Sequence, residues 1–221
     1  MQDKGFIFDW DGVVIDSHRQ HEESWHLLAE EMGTHVPEGF FAATFGMRNQ
    51  QIIPLWFKEL KDDAAAVARI GDRKEELYRE ILRRDGIEPL EGVREFLHRL
   101  KELGIPAAVG SSTPLKNVET VIEMAGLEGL FAAKVTAEDV QRGKPEPDVF
   151  LLAANRIGRA PAHCVVFEDA FVGIQAGLAA GMKVVAIAST NPIEKLGMAH
   201  HAVHHLAGET PESLWLTLGL A

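Results

Sequence analysis

The sequence predicts an α/β fold, a doubly wound (Rossmann-like) parallel sheet core with an inserted helical cap domain. Beyond residue 89, short continuous apolar runs alternate with segments of helical spacing, whereas residues 17–85 show helical spacing and no strand pattern. Continuous apolar runs are typical of parallel strands that are buried on both faces between helices. We therefore assign residues 1–15 and 86–221 to the Rossmann-like core and residues 16–85 to the helical cap.

The first strand and three cap helices follow from local patterns. Residues 6–8 form an apolar run, and the Asp16-Ser17 pair then provides an N-cap for a helix that ends at Gly33. A second helix is expected to begin close to Pro54, because proline is tolerated only within the first turn of a helix. A third helix is predicted over residues 63–84. The apolar positions at helical spacing are Trp25, Leu28, Ala29, Met32, Ile53, Trp56, Phe57, Leu60, Val67, Ile70, Leu77 and Ile81.

The remaining elements alternate between helix and strand along the chain. Glycines at 104 and 126 follow helical patterns and mark their ends. The predicted order is helix 92–103, strand 107–109, a helix ending at Gly126, strand 134–136, helix 147–157, strand 165–167, helix 173–180 and strand 184–187.

Composition limits the partners of the chain. The net charge is −11 with only 22 lysines and arginines, which argues against nucleic acid and anionic membranes as partners. Cys164 is the single cysteine, so no internal disulfide can form. The chain has no signal-peptide pattern and no apolar run of bilayer length. We expect a cytoplasmic protein that acts as a monomer on a small molecule.

Two carboxylates, Asp9 and Asp11, follow the first strand and precede Gly12. Two like charges so close together are costly to bury, and a divalent cation is the most direct way to offset them. The pattern is not a calcium loop, because Val13 stands where that loop needs a third acid or amide. An Asp-x-Asp pair alone is a weak signal, but its position at a strand end strengthens it.

Polar side chains also follow the later strands of the predicted sheet. Each has a purely structural alternative: Ser111 and Thr113 could cap the next helix, and Lys144 could be a solvated surface lysine. Glu168 and Asp169 could likewise cap the helix that follows them. Because all of these residues fall at the same edge of one sheet, we expect them to form a site for a divalent metal ion and a phosphate group.

These residues form four short motifs in order: Asp9-Trp10-Asp11-Gly12-Val13, Ser111, Lys144-Pro145 and Glu168-Asp169. The set resembles the four motifs of the haloacid dehalogenase superfamily. The position and helical character of the insert are similar to those of the subgroup that contains β-phosphoglucomutase and small-metabolite phosphatases. The resemblance covers nearly the whole chain.

The resemblance implies a role for each motif residue. Asp9 attacks phosphorus and forms an aspartyl phosphate, while Asp11 protonates the leaving oxygen and then activates the acceptor. Ser111 and Lys144 hold the transferring phosphate. The implied Mg²⁺ ligands are Asp9, the backbone carbonyl of Asp11, Asp169 and, alongside them, Glu168.

Candidate substrate contacts come from the cap and from the loop after the second strand. His21 and Lys74 resemble cap residues of β-phosphoglucomutase-like proteins, with surface or capping roles as alternatives. The segment Gly46-Met47-Arg48 resembles a loop whose arginine grips a second phosphate, although Arg48 comes one residue early. The loop 111–117 is longer than the corresponding loop of the mutase and resembles more closely that of the phosphatases in the subgroup. Its candidate contacts are Ser112, Lys116 and Asn117.

Two other features are interpreted as structural. The histidines at 200, 201, 204 and 205 flank a short strand-like segment and are interpreted as a solvated chain end rather than a metal site. Cys164 adjoins a buried strand and is expected to be inert.

The expected activity is a Mg²⁺-dependent phosphatase acting on a small phosphorylated metabolite, a sugar phosphate being favoured. A β-phosphoglucomutase-like isomerase is the first alternative, because it uses the same aspartyl phosphate and returns the phosphate to a sugar hydroxyl. A non-catalytic phospho-aspartate switch is a more distant alternative. Receiver domains of that kind lack a helical cap and an Asp-x-Asp-Gly sequence at the first strand.

Overall fold

A computed structural model of the chain describes residues 3–45 and 47–220 and contains one parallel sheet with the strand order β3-β2-β1-β4-β5-β6. This arrangement confirms the predicted α/β class. The strands are β1 (Gly5–Phe8), β2 (Ala107–Gly110), β3 (Ala133–Val135), β4 (Cys164–Glu168), β5 (Lys183–Ile187) and β6 (His201–Val203).

The described residues divide into two compact units, of which the smaller is Ser17–Ile87. Its helices are α1 (His18–Glu31), α2 (Phe40–Thr44), α3 (Asn49–Trp56) and α4 (Ala64–Asp85). No strand occurs within residues 17–45 and 47–87. The helices of the larger unit are α5 (Val93–Glu102), α6 (Leu115–Met124), α7 (Asp148–Arg156), α8 (Phe171–Ala179) and α9 (Pro211–Thr217).

The sheet of the larger unit is buried on both faces because successive side chains of a strand point in opposite directions. Ile7 joins a cluster with side chains of α7 and α8, including Phe150 and Ile174. Phe6 points the other way and contacts the rings of Phe96 in α5 and Trp215 in α9, with centroid distances of 5.3 and 4.6 Å. The uninterrupted apolar run of β1 therefore reflects burial on both sides.

The smaller unit has its own core, in which the predicted helical faces meet. Trp25 is 4% exposed and packs with Ile53 and Leu77, and its ring lies 6.1 Å from that of Trp56. The prediction for α3 was wrong in one respect, because the helix begins at Asn49 and Pro54 therefore lies in its second turn. Proline has no N–H, so the helix lacks the backbone hydrogen bond that another residue at this position would donate.

The interpretation of a solvated chain end around His200–His205 was wrong about the chain end, although His200, His204 and His205 are exposed. His201–Val203 forms the edge strand β6 beside β5, and α9 follows it. His200 is bonded to the sheet, since its amide donates to Val184 O at 2.9 Å and its Nδ1 accepts from Val184 N at 3.1 Å. Burial lowers the pKa of His200, and the charge of Lys183 lowers it further.

None of the helices described is both long enough and apolar enough to cross a bilayer.

Replacing Phe96 with alanine should lower the free energy of unfolding by about 3–5 kcal/mol, because it removes a fully enclosed ring from the cluster around Phe6 and Phe167. Leu216→Ala is the control, since that side chain is 72% exposed and should cost no more than about 0.5 kcal/mol. Urea unfolding of both variants measures the difference. Equal losses in the two variants would contradict this assignment of the core.

Candidate active site

The candidate site lies at the point where the strand order of the sheet changes direction, between β1 and β4. Phe8 pairs with Phe167, and the amide of Asp9 donates to Phe167 O at 3.0 Å. Asp9 and Glu168 therefore leave the sheet side by side at its carboxyl edge. Ligands of open parallel sheets bind outside this edge at such a switch point.

Three carboxylates meet at this point. Asp9, Glu168 and Asp169 are 8%, 0% and 2% exposed, and one oxygen from each lies within 4.8 Å of the others. No other group of three or more His, Cys, Asp or Glu side chains is close enough to share an ion in residues 3–45 and 47–220. The donors are all hard oxygen atoms and are buried together, so the residues fit a divalent cation of the Mg²⁺ type.

Lys144 is the cation that the structure supplies to these acids. Its Nζ lies 2.7 Å from Asp9 Oδ1 and 2.5 Å from Glu168 Oε1, and the side chain is only 7% exposed. It is thus not a solvated surface lysine. Burial alone would lower the pKa of Lys144, but the charges of Asp9 and Glu168 outweigh burial and raise it. The side chain is held as an ammonium that bridges two strand ends.

Glu168 combines a structural and an electrostatic role. Its Oε2 accepts hydrogen bonds from the amides of Asp169 and Ala170, at 2.8 and 2.9 Å, just before α8. Both amides precede the first turn of α8, whose N-cap Ala170 has no side-chain cap bond, so Glu168 does not cap the helix; its Oε1 is directed to Lys144. Burial raises the pKa of Glu168 to about 8 against the opposing charge of Lys144, with Asp9 and Asp169 adding to the rise.

Asp169 is held by a loop that the sequence analysis overlooked. Thr190 Oγ1 donates to Asp169 Oδ2, and Asn191 Nδ2 donates to Asp169 O at 3.1 Å. Ser189 Oγ donates to Gly12 O, which links the same loop to the turn after β1. A signal was present in the sequence, since the polar triplet Ser189-Thr190-Asn191 follows the apolar strand β5 after a single residue, Ala188. Burial and the nearby Asp9 raise the pKa of Asp169 to about 7.

Two glycines make room for these carboxylates. Gly12 has a φ of +80°, and a Cβ there would lie 2.1 Å from Asp169 Oδ2. A Cβ at Gly173 in α8 would lie 1.6 Å from Glu168 Oε1. Neither position can accept a side chain without displacing an acid of the cluster.

Ser111 and Thr113 occupy the loop after β2, and neither caps α6. The helix begins at Leu115 with Pro114 as its N-cap, and the Leu115 amide donates to the carboxylate of Glu138. Ser111 Oγ instead accepts from Thr113 N at 3.1 Å, which leaves its own proton for an acceptor. The carboxylate of Asp11 is outside the three-acid cluster, and its Oδ2 accepts a hydrogen bond from Thr113 Oγ1.

The other predicted residues of this loop differ in accessibility. Ser112 is half-buried, Lys116 is exposed in the first turn of α6, and Asn117 is completely buried. Their role as substrate contacts stays a prediction.

The cap residues His21 and Lys74 form a buried pair within the smaller unit. His21 Nδ1 lies 2.6 Å from Lys74 Nζ, and the histidine ring stacks on Tyr78 with centroids 4.0 Å apart. Lys74 Nζ also lies 3.1 Å from Glu75 Oε1, which accepts from Asn49 Nδ2 at 2.7 Å.

Arg48 is half-buried and precedes α3, where its amide donates to Gln51 Oε1 at 3.3 Å. The predicted loop also includes Gly46, which lies outside the described residues. The role of His21, Lys74 and Arg48 in binding substrate stays a prediction.

Cys164 is fully enclosed in β4, and burial raises its pKa to about 11. The thiol is therefore protonated at neutral pH and is not a nucleophile. The histidines near β6 are not part of any group of potential metal ligands found among the described residues.

The chain is similar to known hydrolases and phosphatases along most of its length. Residues 4–181 match a family model described as haloacid dehalogenase-like hydrolase. The chain is 36% identical to hexitol phosphatase A of Escherichia coli over 93% of each chain. It is 37% identical to a fructose-1-phosphate phosphatase of the same organism, over 83% of this chain and 95% of that one.

A third relative is longer than this chain. It is the chloroplastic 5-amino-6-(5-phospho-D-ribitylamino)uracil phosphatase of Arabidopsis thaliana, with 35% identity over 91% of this chain. The chain spans 54% of the length of that protein.

Solved structures with the same fold cover almost the whole chain. A family IA hydrolase of Entamoeba histolytica superposes with a TM-score of 0.88 and 28% identity, over 98% of this chain and 99% of that one. A β-phosphoglucomutase of Clostridium difficile superposes with a TM-score of 0.84 and 25% identity, over 98% and 97%.

Mg²⁺ should stabilise the protein more strongly at high pH. The raised pKa values of Glu168 and Asp169, about 8 and about 7, lie above the ordinary values of 4.5 and 3.8. The metal-free folded state therefore holds extra protons and loses stability as the pH rises through this window, about 4 to 8. Mg²⁺ must displace those protons at low pH but meets free carboxylates at high pH.

Melting temperatures with and without Mg²⁺, at about pH 6 and about pH 8.5, measure this effect. The rise caused by Mg²⁺ should be larger at the higher pH and should be lost or much reduced in Asp169→Asn. A rise that is equal at both pH values, or unchanged in the variant, would rule out this cluster as the binding site.

Proposed function

Because the chain belongs to the haloacid dehalogenase-like hydrolases, we propose that it is a Mg²⁺-dependent phosphatase that hydrolyses a sugar phosphate through a covalent aspartyl phosphate. The observation that carries the proposal is the position of Lys144 between Asp9 and Glu168 at the switch point of the sheet. A lysine between buried acids offsets part of their charge and is a donor of charge-assisted hydrogen bonds to a phosphate group.

Asp9 is the proposed nucleophile. A carboxylate oxygen of Asp9 forms a bond to phosphorus as the bond between phosphorus and the leaving oxygen breaks. Lys144 lies 2.7 Å from Asp9 Oδ1, so it orients the carboxylate and neutralises charge on the transferring group. The buried Ser111 hydroxyl, whose proton is not used by its contact with Thr113, is proposed to donate to a phosphate oxygen.

Asp11 is the proposed general acid and base. It gives a proton to the leaving oxygen in the first step. In the second step it takes a proton from the water that attacks the aspartyl phosphate, which releases inorganic phosphate and restores Asp9. We assign the Asp11 carboxylate to proton transfer rather than to metal binding, because it lies outside the buried three-acid cluster and is only half-buried.

The proposed Mg²⁺ ligands are Asp9, Asp169, the backbone carbonyl of Asp11 and, alongside them, Glu168. When bound, Mg²⁺ supplies Lewis-acid stabilisation of charge on the phosphoryl oxygens. Hydrolysis of the slowest phosphate monoesters needs acceleration of up to about 10²¹-fold. General acid–base catalysis supplies only about 10²–10⁴ of this, so the covalent step and charge neutralisation must provide most of the remainder.

The substrate class is proposed from the relatives. Two phosphatases that are similar along most of this chain are named for a hexitol phosphate and for fructose 1-phosphate. A panel of hexitol and sugar phosphates, assayed for inorganic phosphate with Mg²⁺, tests the substrate class. Phosphate release from no member of the panel would overturn the choice of substrate class.

A β-phosphoglucomutase-like isomerase is the second candidate, favoured by the structural similarity to such a mutase along nearly the whole chain. The two activities differ in whether water or a sugar hydroxyl receives the phosphoryl group. We would supply β-glucose 1-phosphate with a trace of glucose 1,6-bisphosphate and follow glucose 6-phosphate and inorganic phosphate together. Rapid formation of glucose 6-phosphate with little free phosphate would overturn the phosphatase proposal in favour of the mutase.

Asp9→Asn should abolish turnover and leave the fold intact, because the amide is nearly isosteric with the carboxylate but is a poor nucleophile. Phosphate release and circular dichroism of the same preparation measure both effects. Residual turnover close to that of the wild type in the presence of Mg²⁺ would remove Asp9 as the nucleophile.

Asp11→Asn should slow turnover of an alkyl phosphate by roughly 10²–10⁴, the range expected for loss of a general acid–base group. Steady-state kinetics at saturating Mg²⁺ measures the loss. A rate within a factor of about three of the wild type would show that another group moves the proton, because the loss would then fall far below that range.

A further inference from the structure

Thr190 makes a contact that the proposed mechanism does not use. Its hydroxyl donates to Asp169 Oδ2, 21 positions away in the sequence. The two residues come together because β4 and β5 are neighbouring parallel strands, and the chain leaves both of them at the same edge of the sheet. Asp169 is 2% exposed, whereas Thr190 is an exposed loop residue. The contact therefore holds a buried, proposed metal ligand from a loop outside the three-acid cluster.

Two further hydrogen bonds fasten the loop that carries Thr190. Asn191 Nδ2 donates to Asp169 O at 3.1 Å, and Ser189 Oγ donates to Gly12 O. A Cβ at Gly12 would lie 3.0 Å from Thr190 Oγ1 and 2.1 Å from Asp169 Oδ2, so the hydroxyl and the carboxylate meet directly against that glycine. A β-branched side chain also has few rotamers. The loop therefore directs the hydroxyl of Thr190 to Oδ2.

This contact makes the two oxygens of Asp169 different from each other. Among the residues that the structure describes, Thr190 supplies the only hydrogen bond to this carboxylate, and the bond goes to Oδ2. Oδ1 is the oxygen that remains for an ion. We propose that Thr190 is a positioning residue, which makes Asp169 a ligand through one oxygen and thereby favours Mg²⁺ over Ca²⁺. This proposal rests on the proposed function, in which Asp169 binds Mg²⁺.

The two ions differ in what they require of a carboxylate. Mg²⁺ needs a nearly ideal octahedron of oxygens, whereas Ca²⁺ accepts about six to eight oxygens and readily takes both oxygens of one carboxylate. A hydroxyl that holds Oδ2 leaves one oxygen in a fixed direction, which suits the smaller ion. Without the hydroxyl, the carboxylate can turn and offer both oxygens, which suits the larger ion. Contacts that orient a metal ligand are typically worth about 10–100-fold in metal affinity.

The test measures the binding of each ion by isothermal titration calorimetry, with no substrate present. Thr190→Val keeps the shape of the side chain and removes the hydroxyl, and it should leave the fold intact because Thr190 is exposed. Its Mg²⁺ affinity should fall about tenfold or more relative to its Ca²⁺ affinity. Both ions are titrated at one pH and displace the same protons, so the ratio of the two affinities does not depend on the ionisation of the cluster.

Thr190→Ser keeps the hydroxyl and should retain the wild-type ratio of the two affinities. Thr217→Val is the matched control for loss of a threonine hydroxyl, because Thr217 is also exposed and its Oγ1 donates to Ser213 O within α9, at 3.0 Å. It should leave both affinities unchanged. A ratio in Thr190→Val that is unchanged, or that shifts towards Mg²⁺, would overturn the proposal. A Thr190→Ser protein that behaves like Thr190→Val would also overturn it.

The variant Asp169→Asn separates this proposal from the proposed function. The wild-type protein should bind Mg²⁺, and Asp169→Asn should lose most of that binding. Failure of either result would remove the proposed metal site and the role of Thr190 with it. Mg²⁺ binding that depends on Asp169, together with an ion ratio that Thr190→Val does not change, would overturn only the role of Thr190.

Discussion

The site depends on one electrostatic constraint: three buried carboxylates are gathered where two parallel strands end. Without cations, each acid would raise the pKa of its neighbours, as burial and mutual repulsion do for Glu168 and Asp169. Lys144 supplies one buried positive charge, within 2.7 Å of Asp9 and 2.5 Å of Glu168. One cation facing three acids leaves negative charge uncompensated, and this residual charge is what makes the cluster suited to a divalent ion.

The fold produces this cluster through strand register and through glycine. Pairing of Phe8 with Phe167 places Asp9 beside Glu168 with no further adjustment. Gly12 and Gly173 have no side chain, so the carboxylates of Asp169 and Glu168 lie directly against the backbone at these two positions. A Cβ at either glycine would overlap a carboxylate. A substitution at either glycine would therefore act on the charge cluster, although neither residue carries a functional group.

The positions of Asp9 and Glu168 in the site were predictable from the sequence. The apolar runs of β1 and β4 show where these strands end, and the polar residue that follows each run lies at the carboxyl edge of the sheet. Contacts between loops were not predictable in this way. The bond from Thr113 to Asp11 and the bond from Thr190 to Asp169 depend on loop conformation, which no periodic pattern reports. The edge strand β6 was recognised only as a short strand-like segment at a chain end, since three residues with histidines on both sides form too short a pattern to place in a sheet.

The central claim is that phosphate passes through a covalent bond to Asp9. The most direct test is to treat Asp11→Asn protein with acetyl phosphate and Mg²⁺, quench with acid, and locate phosphate by peptide mass spectrometry. An acyl phosphate has a good leaving group, so the first step should proceed without the acid, while the second step lacks its base and the intermediate should accumulate. The account predicts a hydroxylamine-sensitive phosphate on the peptide at Asp9. Phosphate on another residue, or none while free phosphate is released, would contradict it.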